Sequence, residues 1–376
     1  MTNWAEPSPR PPEPRSRQVI GEETLGWAIV GASASAAHHI IPAIRSQPPL
    51  PAPDVSYPVS NARVVGVFSH DEGRARRFAE AHYIPHSFAN LADLLARHDV
   101  DCVYAGGHPR HLAQTTLAAL AAGKHVLCET PMALSLGDAL AMAHTAAGHG
   151  LTLAVNCRRR VDAAIQAMLR LLLEGEIGDL LGGRVDNIEL LRPSLHTWRL
   201  RPQGGGIALD RTVHDIDLLR FLLRDEVQTV SAINTQHLLS DSVEEDVVAW
   251  VAMRRSGLLI QLHDSYILPH VVGGVTLYGS AGTLSARHVF VDDTPSELLL
   301  IRHGQPVSVP LDDIDPYAET IARFHAAVRG QGRPVASPGD GFRNLAAALA
   351  VRESIQRGHR ISVELPERPL DDRGLA

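Results

Sequence analysis

The order of apolar and polar positions along the chain changes near residue 150. From Leu25 onward, short apolar runs alternate with segments that carry apolar residues at helical spacing. The runs predict buried strands in GWAIVGAS, RVVGVFS, DCVYAGG and KHVLCE, and the segments between them predict helices. Strands that alternate with helices in this way are typical of a parallel sheet covered by helices on both faces. We therefore predict a doubly wound α/β domain over residues 24–155.

Beyond this point, β-like runs outnumber helical segments. Two helices are predicted in DAAIQAMLRLLLEGEIG and ALDRTVHDIDLLRFLL, followed by six β-like runs between residues 227 and 304. Turn signals such as RRSG and GSAG separate some of these runs, which favours an antiparallel sheet. Helical spacing returns at 316–330 and 341–357. We predict an α+β domain over residues 156–363, with its last helix packed back on the first domain.

Composition is that of an ordinary globular protein. The length of 376 residues favours two domains, and 45% of the residues are apolar and 20% charged. Residues 1–23, rich in Pro, Arg and Glu, are predicted to be a disordered tail, and 364–376 a second tail. The N-terminus lacks the apolar core of a secretory signal, and no apolar run reaches the roughly 18 residues of a membrane span. We therefore expect a cytoplasmic protein without a membrane partner.

Charge and cysteine content narrow the range of partners. The net charge is −7 and no large basic block is present, which disfavours nucleic acid and favours a small-molecule partner. Cys102, Cys128 and Cys157 do not have the spacing of metal ligands, so we predict no metal site and a reducing compartment.

A nucleotide-binding turn is predicted directly after the first strand. The segment GASASA, from Gly31 to Ala36, approximates the G-x-G-x-x-G/A fingerprint of dinucleotide-binding domains, with Ser33 in place of the second glycine. Phosphate binds at such a turn because a helix N-terminus presents free N–H groups. We predict cofactor contacts from Gly31, Ser33, Ala34 and Ser35. Any small-residue turn between a strand and a helix is the alternative.

The end of the second strand bears on cofactor choice. An acidic residue there favours NAD, whereas a basic residue accommodates the 2′-phosphate of NADP. The strand ends in Ser69-His70, with Arg74 one turn into the helix, so we predict these three as cofactor ligands and lean slightly to NADP over NAD. The alternative is a solvated helix start in which Asp71 is a favourable first-turn charge. The long proline-rich loop at 47–60 could cover the adenosine, although an insertion without function is more expected.

The strongest single motif is GGGIALDRTVHDID. Three glycines, Gly204 to Gly206, predict a flexible lead-in to a helix. Asp210 and His214 are four residues apart and project from one helical face, and Asp217 could share that face. A carboxylate one turn from an imidazole can orient it and stabilise its protonated form, as a general base near neutral pH requires. The alternative is a surface ion pair.

Together these segments resemble a known family. HVLCETP, followed some 75 residues later by WRLRPQGGGIALDRTVHDIDLLRFLL, resembles the glucose–fructose oxidoreductase, inositol dehydrogenase and rhizopine-catabolism (Gfo/Idh/MocA) family, and the similarity extends over about 25–363. The resemblance implies a Rossmann domain followed by a domain with a large open sheet that forms the interface of homodimers or homotetramers. It also implies NAD(P)-dependent oxidation or reduction at a carbinol carbon of a sugar, cyclitol or related molecule.

The resemblance also assigns site residues. Glu129-Thr130-Pro131 occupies the family's Glu-Lys-Pro site beside the nicotinamide, so Glu129 and Pro131 are expected to contact the cofactor. Asp210 and His214 match the substrate-binding acid and the catalytic histidine. Trp198 and Arg199 match a recurrent pair ahead of the glycines. The loop after the fourth strand departs from the family, so its ligand contacts are altered. Gly107 and His108 are expected to contact the cofactor, and His108, Arg110 or His111 is expected to face cofactor or substrate.

Thr130 is the main departure from the family, because a threonine has one hydroxyl and no charge. A lysine at this point would stabilise an alkoxide and relay its proton, and loss of a general acid or base commonly costs about 10² to 10⁴ in rate. Arg158, Arg159 and Arg160 follow the next strand, where the family often contacts substrate. One of them could supply charge, although arginine does not transfer protons at neutral pH. A solvated helix start is the alternative for this triplet.

Three hypotheses remain open on the sequence. In the first, His214 is the acid/base, Asp210 orients it and Thr130 holds the substrate oxygen. In the second, the site reduces C=N or C=C bonds without needing the lysine. In the third, the chain binds dinucleotide and ligand as a sensor without turnover. Retention of both Asp210 and His214 favours an enzyme.

Overall fold

The computed structural model describes residues 24–48, 61–235, 238–292 and 294–365. The predicted tail at 1–23, most of the tail at 364–376 and most of the loop at 47–60 lie outside these residues. None of the helices in the described part of the chain combines the length and apolar character needed to cross a membrane.

The first sheet is a parallel, doubly wound sheet of six strands. Its strands are β1 (Leu25–Val30), β2 (Ala62–Phe68), β3 (His86–Phe88), β4 (Cys102–Ala105), β5 (His125–Cys128) and β6 (Leu153–Val155). They lie in the order β3-β2-β1-β4-β5-β6, so the strand order reverses between β1 and β4. The fold predicted for this part of the chain is confirmed. Ligands of such sheets bind at this reversal, outside the carboxyl ends of the strands.

Helices cover both faces of the first sheet. They are α1 (Ile41–Arg45), preceded by a π-helical turn at Ala36–Ile40, α2 (Glu72–Ala81), α3 (Leu91–Leu95), α4 (Pro109–Ala121) and α5 (Leu136–Gly148). The central strand β1 is buried at every position, which explains its continuous apolar sequence.

The second sheet has nine strands. They are β7 (Leu180–Ile188), β8 (Val227–Asn234), β9 (Asp246–Met253), β10 (Leu259–Ser265), β11 (Gly274–Gly279), β12 (Thr283–Arg287), β13 (Glu297–Arg302), β14 (Gln305–Ser308) and β15 (Ile361–Ser362). Their order is β14-β13-β12-β11-β7-β10-β9-β8-β15. Only the β7–β10 pair is parallel among these described strands, so the prediction of a mostly antiparallel sheet is confirmed.

The second sheet is covered by helices on one face and open on the other. Along β9, Val247, Ala249 and Val251 are buried, whereas Trp250 between them is 46% exposed. The open face also exposes Ile233 of β8. This is the face that the resemblance assigns to subunit contacts, and the oligomeric state stays a prediction.

The helices that follow β6 join the two sheets. They are α6 (Ala163–Leu173), α7 (Val213–Leu223), α8 (Pro316–Val328) and α9 (Pro338–Arg357). Helix α9 packs against α5 and β6 of the first sheet and against α7 and β8 of the second. Helix α8 places Phe324 against Trp27 of β1, with ring centroids 5.2 Å apart. The carboxyl ends of β5 and β6 are thereby held next to the start of α7.

Candidate active site

The turn after β1 leaves room for a pyrophosphate. Gly31 has φ +102°, and a Cβ there would lie 3.0 Å from the carbonyl carbon of Gly106 in the turn after β4. The two turns therefore approach each other so closely that a side chain would fill the cleft. Ser33 accepts a hydrogen bond from the Ala36 N–H at 3.2 Å, and Ala34 and Ser35 are exposed. These features fit a dinucleotide, whose phosphates would lie against this backbone.

The end of β2 is tied to this same turn. Arg74 donates from Nε and Nη2 to the carbonyl oxygen of Ala32, at 3.0 and 2.6 Å. Asp71 is the N-cap of α2 and accepts from the Arg74 N–H at 2.8 Å, whereas the alternative from the sequence made it a first-turn charge. His70 is exposed, and its ring lies 5.4 Å from that of His111 on α4. Ser69 accepts from the Asp71 N–H at 3.3 Å.

The loop after β4 places a histidine between the two domains. Gly107 has φ +100°, and His108 caps α4 by accepting the Arg110 N–H on Nδ1 at 3.2 Å. The His108 ring lies 5.9 Å from that of Trp198, which belongs to the second part of the chain. His108 and Trp198 thus bring the loop after β4 close to the second part of the chain.

The segment after β5 forms the inner wall of the site. Glu129 accepts hydrogen bonds from the Tyr104 hydroxyl and the Asn156 amide, both at 2.7 Å, so its carboxylate is anchored between β4 and β6. The peptide bond between Thr130 and Pro131 is cis. The Thr130 hydroxyl lies 3.0 Å from Nε2 of His214 at the start of α7. Two residues from distant motifs therefore meet at the point where the resemblance places the reacting group.

Asp210 does not orient His214 by a hydrogen bond. Its Oδ2 accepts from Nε of Arg199 at 2.9 Å and from the Tyr266 hydroxyl at 2.7 Å, and no hydrogen bond joins Asp210 to His214 among the described residues. The cause is local: Asp210 lies in a π-helical turn, Ala208–Thr212, so the α-helical spacing used for the prediction does not apply. Although burial raises the pKa of Asp210, Arg199 and Tyr266 hold it below its usual value.

His214 is held neutral near neutral pH. Burial lowers its pKa to about 4, with Arg158 and Arg159 adding to the shift and Asp210 and Asp217 opposing it. Asp210 thus acts on His214 through its charge. A neutral imidazole can accept a proton from an alcohol.

The glycines ahead of α7 form a tight turn rather than a flexible lead-in. Gly204 and Gly206 have φ of +94° and +95°. A Cβ on Gly205 would clash with the carbonyl oxygens of Trp198, Arg199 and Arg201. These glycines therefore let the backbone fold under the 3₁₀ turn at Trp198–Leu200 and fix Trp198 and Arg199 at the site, where the Arg199 guanidinium lies 4.7 Å from the Trp198 ring.

The arginine triplet is not a solvated helix start. It forms a 3₁₀ turn, Arg158–Val161, in which Arg159 and Arg160 are buried. Arg160 pairs with Asp217 at 2.6 Å, and the Asp217 carboxylate is buried in this pair. Arg158 and Arg159 both bond to Asp292, in the loop between β12 and β13.

The sequence motifs give no role to Tyr104 or Asp292, and they predict Asn156 and Tyr266 only as members of the segments 156–160 and 263–266, which are expected to shape the pocket. Each binds a side chain of the site from a residue distant in sequence, and Tyr104 lies inside an apolar run that predicts only a strand. Asn156, directly after β6, carried the one available signal, because polar residues at the carboxyl ends of parallel strands tend to line the ligand crevice.

A doubly wound domain with a nucleotide cradle, facing an imidazole from a second domain, defines an NAD(P)-dependent oxidoreductase. The NAD-binding Rossmann profile of the GFO/IDH/MocA oxidoreductases matches residues 25–157, and the C-terminal domain profile of that family matches 165–285. This chain belongs to that family.

One sequence relative supports this family, and two solved structures share the fold. The 1,5-anhydro-D-fructose reductase of Ensifer adhaerens is 34% identical over 342 residues, which cover 90% of this chain and 98% of the reductase. The aldose-aldose oxidoreductase of Caulobacter crescentus shares the fold at a TM-score of 0.79 and 20% identity, covering 90% of this chain and 100% of that one. The WlbA dehydrogenase of Bordetella pertussis, in complex with NADH and UDP-GlcNAcA, shares the fold at a TM-score of 0.75 and 20% identity. The match covers 92% of this chain and 100% of that one.

Proposed function

We propose that this protein transfers a hydride between a nicotinamide cofactor and a carbinol or carbonyl carbon of a sugar, cyclitol or related polyol, with His214 as the acid/base. The observation that carries the proposal is the 3.0 Å contact between the Thr130 hydroxyl and His214 Nε2, beside the anchored Glu129. Similarity to a reductase of 1,5-anhydro-D-fructose supports an anhydro- or keto-sugar as substrate.

The residues of the chain handle the proton. When bound, the nicotinamide supplies or accepts the hydride. In the oxidative direction the Thr130 hydroxyl passes its proton to Nε2 of the neutral His214 and takes up the substrate hydroxyl proton in its place as the C–H bond breaks. Reduction runs the same path in reverse. Tyr266 and Arg199 hold Asp210 as a fixed carboxylate that can accept hydrogen bonds from further substrate hydroxyls.

For the cofactor we propose NADP over NAD. No acidic residue occupies the last position of β2, and the exposed Arg74 lies at the turn that would hold the pyrophosphate. Its guanidinium donates to the Ala32 carbonyl oxygen through some of its N–H groups, and the remaining N–H groups can bind a 2′-phosphate. Titration of the cofactor-free protein with NADPH and NADH, followed by nicotinamide fluorescence, tests this, and tighter binding of NADH would contradict it.

The function is tested with purified protein, NADPH or NADH, and a panel of keto-sugars that includes 1,5-anhydro-D-fructose. We expect loss of nicotinamide absorbance with at least one substrate. His214→Ala should lower kcat by roughly 10² to 10⁴ and leave the dissociation constant of the cofactor unchanged. His144→Ala, an exposed histidine of α5, is the matched control.

Other outcomes point to the other hypotheses. Turnover of imines or enones alone would support a C=N or C=C reductase. Cofactor binding without turnover of any compound would support a sensor. Unchanged turnover in His214→Ala would remove the assignment of the base, and failure to bind either dinucleotide would remove the proposal.

A further inference from the structure

The segment after β6 runs beside Thr130. Strands β5 and β6 pair in parallel with Cys128 opposite Val155, and the Asn156 N–H donates to the Cys128 carbonyl oxygen at 2.8 Å. The Asn156 side chain bonds to Glu129, the neighbour of Thr130. Two residues beyond Asn156 the chain reaches Arg158, which therefore lies at the same end of the sheet as Thr130.

Arg158 belongs to a cluster with an unmatched positive charge. Nη2 of Arg158 and Nη2 of Arg159 lie 2.6 and 2.7 Å from the same Oδ1 of Asp292. Two guanidiniums therefore share one carboxylate. Although burial raises the pKa of Asp292, the two arginines hold it below its usual value, so the carboxylate stays ionised.

Two further arginines, Arg160 and Arg199, are matched by acids. Arg199 pairs with Asp210, and Arg160 pairs with Asp217 and Asp340. Within the cluster of Arg158, Arg159 and Asp292, by contrast, two positive charges face one carboxylate.

The position of Arg158 is fixed. Its guanidinium lies 4.3 Å from the centroid of the Tyr317 ring, and the Tyr317 hydroxyl donates to Asp292 at 3.3 Å. The Arg158 side chain is 15% exposed. A charge that is fixed and mostly shielded from water acts on its surroundings much more strongly than one on the surface, and it needs no reorganisation during a reaction.

The charge of Arg158 reaches the reacting groups. Burial is the main cause of the low pKa of His214, and the charge of Arg158 is the next contributor. It acts on the imidazole in the direction of the neutral form. His214 is in turn 3.0 Å from the Thr130 hydroxyl, so a substrate oxygen bound to that hydroxyl would be within the same field.

We propose that Arg158 supplies the positive charge that a lysine at position 130 would bring, and that it stabilises the negative charge developing on the substrate oxygen. The inference rests on the proposed function. In oxidation the C–H bond breaks with transfer of a hydride to the nicotinamide, the O–H proton goes to His214, and a C=O bond forms. Arg158 keeps all its protons throughout. Charge stabilisation and proton transfer are thus divided between two residues.

The kinetic test is a double-mutant cycle. Arg158→Gln should lower kcat about 10- to 10²-fold with little change in KM, and Arg158→Lys should retain most of the activity because it retains the charge. Thr130→Lys in the Arg158→Gln protein should restore kcat at least in part, since the charge returns on the neighbouring strand. Arg170→Gln, which breaks an exposed pair with Glu174 on α6, is the matched control.

A second measurement does not depend on turnover or cofactor. In protein labelled with ¹³C-histidine, the His214 signal is assigned by its loss in His214→Gln and titrated by NMR. Arg158→Gln should raise the pKa of His214, because a positive charge that disfavours the imidazolium is gone, and Arg158→Lys should leave it nearly unchanged.

The outcomes separate the inference from the proposed function. If the wild-type protein turns over no substrate, the proposed function fails, and the NMR titration still decides whether the charge of Arg158 reaches His214. Unchanged kcat in Arg158→Gln would overturn the inference. An effect on KM alone would make Arg158 a binding residue and would also overturn it, as would an unshifted His214 titration.

Discussion

A hydroxyl that lies 3.0 Å from an imidazole nitrogen can donate a proton to it while accepting one from a third group. Thr130 is placed for this role because Glu129, beside it, is anchored by Tyr104 and Asn156. The neutral state of His214 leaves Nε2 able to accept. The two residues can therefore act together: Thr130 takes the proton of the carbinol, and His214 takes the proton of Thr130.

Thr130→Val tests the relay, because valine has nearly the shape of threonine and lacks the hydroxyl. We expect kcat to fall by about 10²-fold while cofactor affinity is unchanged, and Thr130→Ser should retain most of the activity. Steady-state kinetics and fluorescence titration measure the two quantities. A valine variant with wild-type kcat would mean that the proton passes directly between substrate and His214.

Sequence motifs predicted which residues meet at the site but not how they bond. Thr130 and His214 each follow a recognisable motif, so their meeting could be expected. The bonds of Asp210 could not, because they depend on a π-helical turn and on Tyr266, which lies 56 residues further along the chain. Hydrogen bonds between distant residues are fixed by tertiary packing, on which local pattern has little influence.

The turn that precedes α7 shows how a local element shapes the site. Strands and helices of the first domain follow from apolar runs, whereas β3, with three residues and incomplete burial, has too few apolar positions to be predicted. The triple glycine was recognised, but its flexibility was wrongly inferred. Space, rather than mobility, requires glycine at position 205, because three carbonyl oxygens lie within 2.5 Å of the place that a Cβ would take.

Gly205→Ala should therefore damage both stability and activity. The added methyl group would push apart the carbonyl groups of the 3₁₀ turn that carries Trp198 and Arg199, and such overpacking typically costs about 1–3 kcal/mol. We expect a lower free energy of unfolding in urea and a raised KM for substrate, because Arg199 would lose its position on Asp210.

Gly148→Ala provides the comparison, since a Cβ at this last residue of α5 has no neighbour within 4 Å. It should leave activity unchanged and stability equal or slightly higher. Equal behaviour of the two variants would show that the turn is not as tightly packed as described.

The stability of the folded protein depends on buried histidines that stay neutral. Nε2 of His325, on α8, accepts a hydrogen bond from the Trp27 indole at 3.0 Å, and Nδ1 of His125 accepts one from the Thr152 N–H at 2.9 Å. Burial lowers the pKa of His325 to about 3 and that of His125 to about 4, from the ordinary value of 6.5. At a pH between the pKa of these histidines in the folded protein and their pKa in the unfolded chain, the unfolded chain binds more protons than the native protein. The free energy of unfolding therefore falls as the pH drops below about 6.5 and continues to fall towards pH 4 and 3.

His325→Gln should reduce this acid sensitivity, since glutamine can still accept from Trp27 and does not titrate. The free energy of unfolding is measured in urea at about pH 7 and about pH 5. The wild-type protein should lose stability between the two, and the variant should lose about 2 kcal/mol less. At pH 7 the variant is expected to be somewhat less stable, because an amide fills the ring's space incompletely. His144→Gln on the surface of α5 should show the same loss as the wild type. If His325→Gln lost as much stability on acidification as the wild type, that result would contradict the contact between Trp27 and a neutral His325. It would also contradict the docking of α8 on the first sheet.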